Sequence, residues 1–268
     1  MIIDNISNKM EKLKKRIEII VINDCSTIEP KKMGSFKNID KIQVINLKKN
    51  LGSQKAISVG LNYLKENITD SIITVLDSDG EDDVDKIPVM IEHAEKNENK
   101  VIVSTRTRRQ ENILFKIAYF FHKVLTLLFT FKWISYGNFS SFNSKQLEKI
   151  LSNSSSWLAI SSCIAKNCDI IKIKAERKKR LIGISKLSVI GLISHSLRVN
   201  AVFWNKSIIL SSTYIFLLII LKPFIYKYLT FLISLIVIFY IFIVITLLWN
   251  NQKQFYNFKN LISEVTQL

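Results

Sequence analysis

In the stretch Ile72-Ile73-Thr74-Val75-Leu76-Asp77-Ser78-Asp79-Gly80-Glu81-Asp82-Asp83 an apolar, β-branched strand runs into five acids within seven residues. Carboxylates one residue apart at a strand end suit a hard divalent cation, Mg²⁺ or Mn²⁺, which completes its shell with substrate phosphates. A solvated acidic turn has the same composition, and a lone Asp-x-Asp is common by chance. The weight therefore falls on the surrounding sequence.

Outward from this stretch, strand and helix patterns alternate. A short amphipathic helix over 5–16 places Ile6, Met10, Leu13 and Ile17 at helical spacing. Ile17 to Ile22 is a nearly continuous apolar strand that stops at the turn cluster Asn23-Asp24-Cys25-Ser26-Thr27. Strands follow over 42–47, 72–76 and 101–104, with helices over 53–67 and 85–96 between them. Such alternation implies crossover units, a mostly parallel sheet and an α/β fold. In these sheets ligands bind at the carboxyl ends of strands, where Asp24 and Asp77 both stand.

The charge balance, 38 Lys plus Arg against 22 Asp plus Glu for a net +16, calls for anionic partners. The basic residues thicken from Lys172 to Lys206, directly before an apolar region, which points to an anionic membrane leaflet. No nucleic-acid recognition motif accompanies them, so nucleic acid is not expected as a partner. Cys25, Cys163 and Cys168 are odd in number and lack Cys-x-x-Cys spacing, so neither a disulfide framework nor a zinc site is indicated, and a reducing cytoplasm fits. The first sixteen residues hold no apolar run of signal-peptide length.

Three later segments are strongly apolar. Residues 113–134 read either as a buried core helix or as a helix lying in the headgroup plane with its lysines reaching lipid phosphates. Residues 207–221 carry no charge, and the 22 residues from Tyr228 to Trp249 match the ~20 that cross ~30 Å of hydrocarbon. The expected organisation is a soluble domain over 1–206, a transmembrane hairpin over 207–249 turning at Lys222 to Lys227, and a tail over 250–268. Flanking positive charges place the domain and tail on the cytoplasmic side of the plasma (inner) membrane.

Five ordered blocks give these patterns a resemblance to the family 2 glycosyltransferases of GT-A (Rossmann-like) fold, close to the polyprenol-phosphate sugar transferases. Ile19-Ile20-Val21-Ile22-Asn23-Asp24-Cys25-Ser26-Thr27 resembles the family's strand ending in Asp-Asp-Gly-Ser-Thr. Asn50-Leu51-Gly52 with Ala56 and Gly60-Leu61 resembles its Asn-x-Gly helix, and Leu76 to Asp82 its metal motif. Gly137-Asn138-Phe139 resembles an acceptor-side Gly-x-Phe turn, and Arg177 to Lys186 an Arg-x-x-Gly-x-Ser-Lys segment before the membrane.

The resemblance implies an inverting, metal-dependent transfer from a nucleotide-sugar donor to a lipid-linked or cell-envelope acceptor. It places Asp24 at the nucleoside, Asp77 and Asp79 at ribose, metal and diphosphate, and position 138 at the acceptor. Arg177, Arg180, Ser185 and Lys186 fall in the segment expected to bind phosphate oxygens, since guanidinium and ammonium groups donate charge-assisted bonds there. A solvated or lipid-facing basic surface is the alternative for these residues. A homo-oligomer remains among the expected states.

Three departures from the family pattern bear on activity. Asn23 stands where the family has its first Asp. Asn138 stands where related enzymes have an acid proposed as base, and an amide cannot take a proton, although an ionised acceptor phosphate needs little help. The family's first strand, central between the strands that here end at Asp24 and Asp77, is missing from the pattern, so unpaired strand edges are expected at that position. The rival reading is therefore a catalytically inactive, membrane-bound remnant that acts at most as a binding partner.

Overall fold

The computed structural model describes residues 2–27, 36, 38–106, 113–176, 178, 189–250 and 252–268. In chain order its elements are α1 (Ile2–Lys12), β1 (Ile17–Asn23), β2 (Ile39–Leu47), α2 (Ser53–Asn67), β3 (Ile72–Val75), α3 (Ile87–Lys96), β4 (Lys100–Arg106), α4 (Ile113–Thr130), β5 (Tyr136–Asn143), α5 (Leu147–Ile150), α6 (Ile160–Asn167), β6 (Asp169–Ala175), α7 (Val189–Val202), α8 (Trp204–Ile220), α9 (Lys222–Trp249), α10 (Gln252–Tyr256) and β7 (Ile262–Gln267). The chain divides into two compact units, one formed by residues 1–109, 135–184 and 252–268, the other by 110–134 and 185–251.

The first unit is α/β. Its strands form two sheets, β1-β2-β7 and β3-β5-β4-β6, in which β1∥β2 and β4∥β6 are parallel and the other pairings antiparallel. The strands and helices expected from periodicity are present, and the sheets mix parallel with antiparallel strands in a way consistent with a GT-A fold. The expected interruption is also present: among the described residues β1 pairs only with β2, and β3 only with β5. No residue of β1 is fully buried, although Ile19, Ile20, Val21 and Ile22 are all apolar. A strand covered on both faces and both edges would bury them.

Amphipathic spacing explains how α1 is held. Met10 is buried in a cluster with Ile87, Met90, Ile91 and Ala94 of α3 and Phe139 of β5, and Ile6 and Leu13 pack against the same cluster. On the other side of the unit, α2 approaches β1 through Gly60, where a Cβ would come within 2.9 Å of the Ile22 side chain. The C-terminal residues 250–268, expected as a tail, instead supply β7, which pairs along β2 from Gln43 to Leu47.

The second unit is helical and is amphipathic in the reverse sense. On α4, His122, Thr126 and Thr130 are buried while Phe120, Phe121 and Leu128 are exposed. On α7, Ser196 and Asn200 are buried while Ile190 and Ile193 are exposed, and on α8 Ser207 and Ser211 are buried while Ile208, Ile209 and Phe216 are exposed. Helix α9, 28 residues long, is long and apolar enough to cross a membrane, and α7 and α8 together make a second candidate bent by 94°. Helix α8 ends at Ile220, Pro223 occupies the first turn of α9, where its missing N–H leaves no bond unmade, and Ile225 has non-helical angles (φ −123, ψ 18), so α9 is kinked within the expected link Lys222 to Lys227. Helix α7, expected within the soluble domain, belongs to this unit.

Candidate functional site

The end of β1 is braced to the start of α2. Asp24 accepts the backbone N–H of Leu51 on Oδ1 at 2.7 Å and that of Gly52 on Oδ2 at 2.9 Å, while Asn50 Nδ2 donates to the Asp24 carbonyl at 3.0 Å. Gly52, at φ 83, takes the left-handed conformation that turns the chain into α2. Two blocks read separately in the sequence are thus one structure. Beside it, Asn23 Nδ2 donates to Asn46 Oδ1 at 2.8 Å, and Asn46 Nδ2 to Glu264 of β7 at 3.2 Å, so a row of amides ties the three strand ends. Cys25 sits at φ 55, a left-handed conformation that glycine would adopt without strain.

The acidic loop leaves β3 and folds on itself. Asp82 accepts the Asp77 N–H on Oδ2 at 2.9 Å, Asp79 accepts the Glu81 N–H on Oδ1 at 3.0 Å, and Gly80 turns at φ 81. Asn138, on β5 and only 8% exposed, donates from Nδ2 to Asp77 Oδ1 at 3.1 Å. Its Oδ1 accepts from Gln54 Nε2 at 3.0 Å, and Gln54 Oε1 accepts the Ile160 N–H at 2.9 Å. Asn138 therefore orients Asp77 with the donor end of its amide, while Gln54 holds the acceptor end. The residues from Asn50 to Gln54 reach Asp24 on one side and, through Asn138, Asp77 on the other.

A cation closes the far side of the loop. Lys178 Nζ lies 2.8 Å from buried Asp83 and 2.9 Å from Asp85, its N–H donates to the Glu81 carbonyl at 3.0 Å, and Lys9 of α1 lies 2.6 Å from Asp85. Hydrogen bonds from Lys178 and then Lys9 pull the Asp85 carboxyl down to about 2.

Of the residues expected to act, Asp24, Asp77, Asp79 and Asn138 are brought to this end of the first unit, and Asp77 touches Asn138 directly. Arg177, Arg180, Ser185 and Lys186 lie outside the described residues, although Lys178 fixes the start of their segment on the acidic loop. Sequence reading overlooks Gln54, Lys178 and Glu264. Gln54 and Glu264 act on partners 84 and 218 residues away, and only Lys178, within a basic block, carried a signal. Among the described residues no three His, Cys, Asp or Glu side chains form a self-sufficient metal cage. Mg²⁺ or Mn²⁺ is commonly held by only one or two carboxylates and completes its shell with phosphates, and Asp77 and Asp79 are the carboxylates here whose chemistry fits that donor set.

Two comparisons with known proteins agree with this geometry. A protein of Bacillus subtilis (strain 168), described as an uncharacterized glycosyltransferase, YkcC, is 28% identical over 258 residues, covering 89% of this chain and 78% of that protein. The sequence profile of glycosyl transferase family 2 matches residues 2–162, more than half the chain and all of the site built above except Lys178 and Glu264. With β1, the α2 turn, the acidic loop and Asn138 all inside that match, the chain belongs to glycosyl transferase family 2.

Proposed function

We propose that this glycosyltransferase moves a sugar from a nucleotide-activated donor to a lipid-linked acceptor at the cytoplasmic face of the plasma membrane, with inversion. The observation that carries the reading is the Asp77–Asn138–Gln54 relay, which holds a carboxylate at the end of β3 in one orientation. Asp77 and Asp79 would hold Mg²⁺ or Mn²⁺ against the donor diphosphate, where the ion supplies positive charge to the leaving nucleoside diphosphate. Asp24 supports the nucleoside side through the α2 turn it braces, and the segment containing Arg177, Arg180, Ser185 and Lys186 supports phosphate binding. Asn138 positions Asp77 and takes no proton, which suits an acceptor phosphate that is already ionised.

The membrane assignment rests on the second unit. Buried Ser, Thr, Asn and His with apolar side chains outside is the pattern expected of helices whose solvent is lipid. The chain enters that unit after the first unit and returns to it at β7, which supports an even number of crossings by α8 and α9.

The detergent-purified chain with Mn²⁺ is expected to bind nucleoside diphosphates in calorimetric titration, and Asp79→Ala to weaken that binding at least about tenfold, ~1.4 kcal/mol. Equal binding by the variant overturns the metal assignment. The edges of β1 and β3 that are unpaired among the described residues favour a second reading, an inactive binding partner, and a folded chain that binds no nucleoside diphosphate would establish it.

A further inference from the structure

Two strand edges of the first unit border one slot. β1 is hydrogen-bonded to β2 and β3 to β5, and among the described residues neither strand has a partner on its other edge. The two strands start and finish at common structures. Ile17, which opens β1, and Ile72, which opens β3, pack against one cluster built from Met10, Met90 and Ala94. At the other end, Asp24 accepts the N–H groups of Leu51 and Gly52, and Gln54 reaches Asp77 through Asn138. β1 and β3 therefore run in the same direction over the same layer without pairing to each other.

The bordering strands are apolar on both faces. Ile19, Ile20, Val21 and Ile22 follow one another along β1, and successive side chains of a strand point to opposite faces. Ile72, Ile73 and Val75 do the same on β3, and of these seven residues only Ile73 is buried. A strand paired on one edge presents a row of N–H and C=O groups that is a template for a further strand. Here two such rows border the same slot.

We infer that the slot between β1 and β3 takes an extended segment of a second, different polypeptide, apolar and β-branched at successive positions. Its length is set by its neighbours, four residues in β3 and seven in β1. Its composition follows because a strand with neighbours on both sides meets apolar side chains above and below the sheet. The described strands of a second copy of this chain do not qualify: each already uses at least one edge, and the occupant needs both free. Main-chain hydrogen bonds to two strands supply the affinity, and the alternate side chains supply the selectivity. One end of the occupant lies between Asp24 and Asp77, so the partner meets the site those residues build. The inference goes beyond the transfer reading and rests on the sheet alone.

The test titrates a fluorescent peptide, Lys-Lys-Val-Ile-Val-Ile-Val-Lys-Lys, with the full chain in detergent, and follows backbone hydrogen exchange in parallel. The lysines keep the peptide soluble and gain nothing from a chain of net charge +16. Saturable binding of one peptide per chain is expected, with exchange slowed at least about tenfold over both Ile17–Asn23 and Ile72–Val75 and unchanged over Ile262–Gln267, the outermost strand of its sheet. Alternate residues of an inserted strand face β1 and β3. N-methylation of the first, third and fifth core residues, or of the second and fourth, should therefore each weaken binding at least about tenfold. Loss with only one of these two peptides means that a single edge is used, and overturns the slot. Absence of binding, or protection confined to β7, overturns it as well. So do β1 and β3 amides that exchange in the chain alone as slowly as those of β2, because the slot is then already filled. Self-association of the chain that the peptide reverses gives the slot to a second copy and overturns the separate partner. Neither nucleotide nor metal is present, so peptide binding by a chain that binds no nucleoside diphosphate rejects the donor assignment alone.

Discussion

Asn138 Nδ2 donates to Asp77 Oδ1 over 3.1 Å while Asn138 Oδ1 accepts from Gln54 over 3.0 Å, so one buried amide sets the orientation of the carboxylate at the centre of the site. Asn138→Asp removes the donor and places a second carboxylate against Asp77. Like charges at this distance raise the pKa of the pair, so the protonated form is favoured in the folded state. The destabilisation should therefore be small near pH 5, grow toward pH 8, and be visible as a widening gap in denaturant midpoints between variant and unaltered chain. A gap independent of pH would show that Asn138 does not face the Asp77 charge.

Gln54→Leu tests the next link. It leaves Asn138 Oδ1 and the Ile160 N–H without their partner, and each buried unpaired group costs about 1–3 kcal/mol. Chemical denaturation should show a loss in that range, and nucleoside diphosphate affinity should fall with it because Asp77 is no longer held. Gln54→Glu keeps the acceptor for Ile160 and should retain more stability than Gln54→Leu.

Cys25 tests the brace at the end of β1. A non-glycine residue at φ 55 carries about 1–2 kcal/mol of strain, partly offset by the greater chain entropy glycine loses on folding. Cys25→Gly is expected to stabilise the chain by up to about 1 kcal/mol, and Cys25→Val to destabilise it. The same residue should be the one cysteine that iodoacetamide modifies in the folded protein at pH 8. Burial pushes Cys163 up to about 12 and Cys168 to about 11, so neither forms appreciable thiolate there. Mass spectrometry of the labelled peptides reads the outcome directly.

The legible parts of this fold are those whose cause is local. β1, β2, β3 and β4 are apolar and β-branched, α2 and α3 carry helical periodicity, and each was readable from its own residues. β5 was not, because Tyr136 to Asn143 is rich in Ser, Asn and Gly, and its burial arises from lying between β3 and β4. β7 is a short mixed segment whose only reason to be a strand is the edge of β2, some 218 residues earlier at Asn46 and Glu264. The site follows the same rule: Asp77 and Asp79 announce themselves by spacing, whereas Gln54 acquires its role only when β5 and α2 are brought together.

That dependence makes β7 itself a target. Removing residues 262–268 exposes the β2 edge from Gln43 to Leu47 and frees Asn46 from Glu264. An uncovered, apolar edge strand is a template for pairing with another chain, so the shortened protein should associate in a concentration-dependent way in size-exclusion chromatography. A monodisperse product of unchanged stability would mean that β7 adds nothing to the sheet.

The Lys178 latch gives the last expectation, and its sign is fixed by the two carboxylates it serves. Lys178→Ala leaves Asp83 buried without its cation, which should destabilise the chain by about 1–3 kcal/mol near pH 7. Asp85 adds less, because exposed pairs contribute about 0.2–1 kcal/mol. Its carboxyl is lowered to about 2 in the folded chain, so its share of the stability is complete above the ordinary carboxylate range and is lost as pH falls toward 2. In the Lys178→Ala variant the Asp85 titration, followed by carboxyl NMR, should move up but not reach the ordinary range, because Lys9 still lies 2.6 Å away. The double variant with Lys9→Ala should complete the shift, whereas an unmoved titration in the single variant would show that Lys9 alone holds Asp85 and that Lys178 serves Asp83.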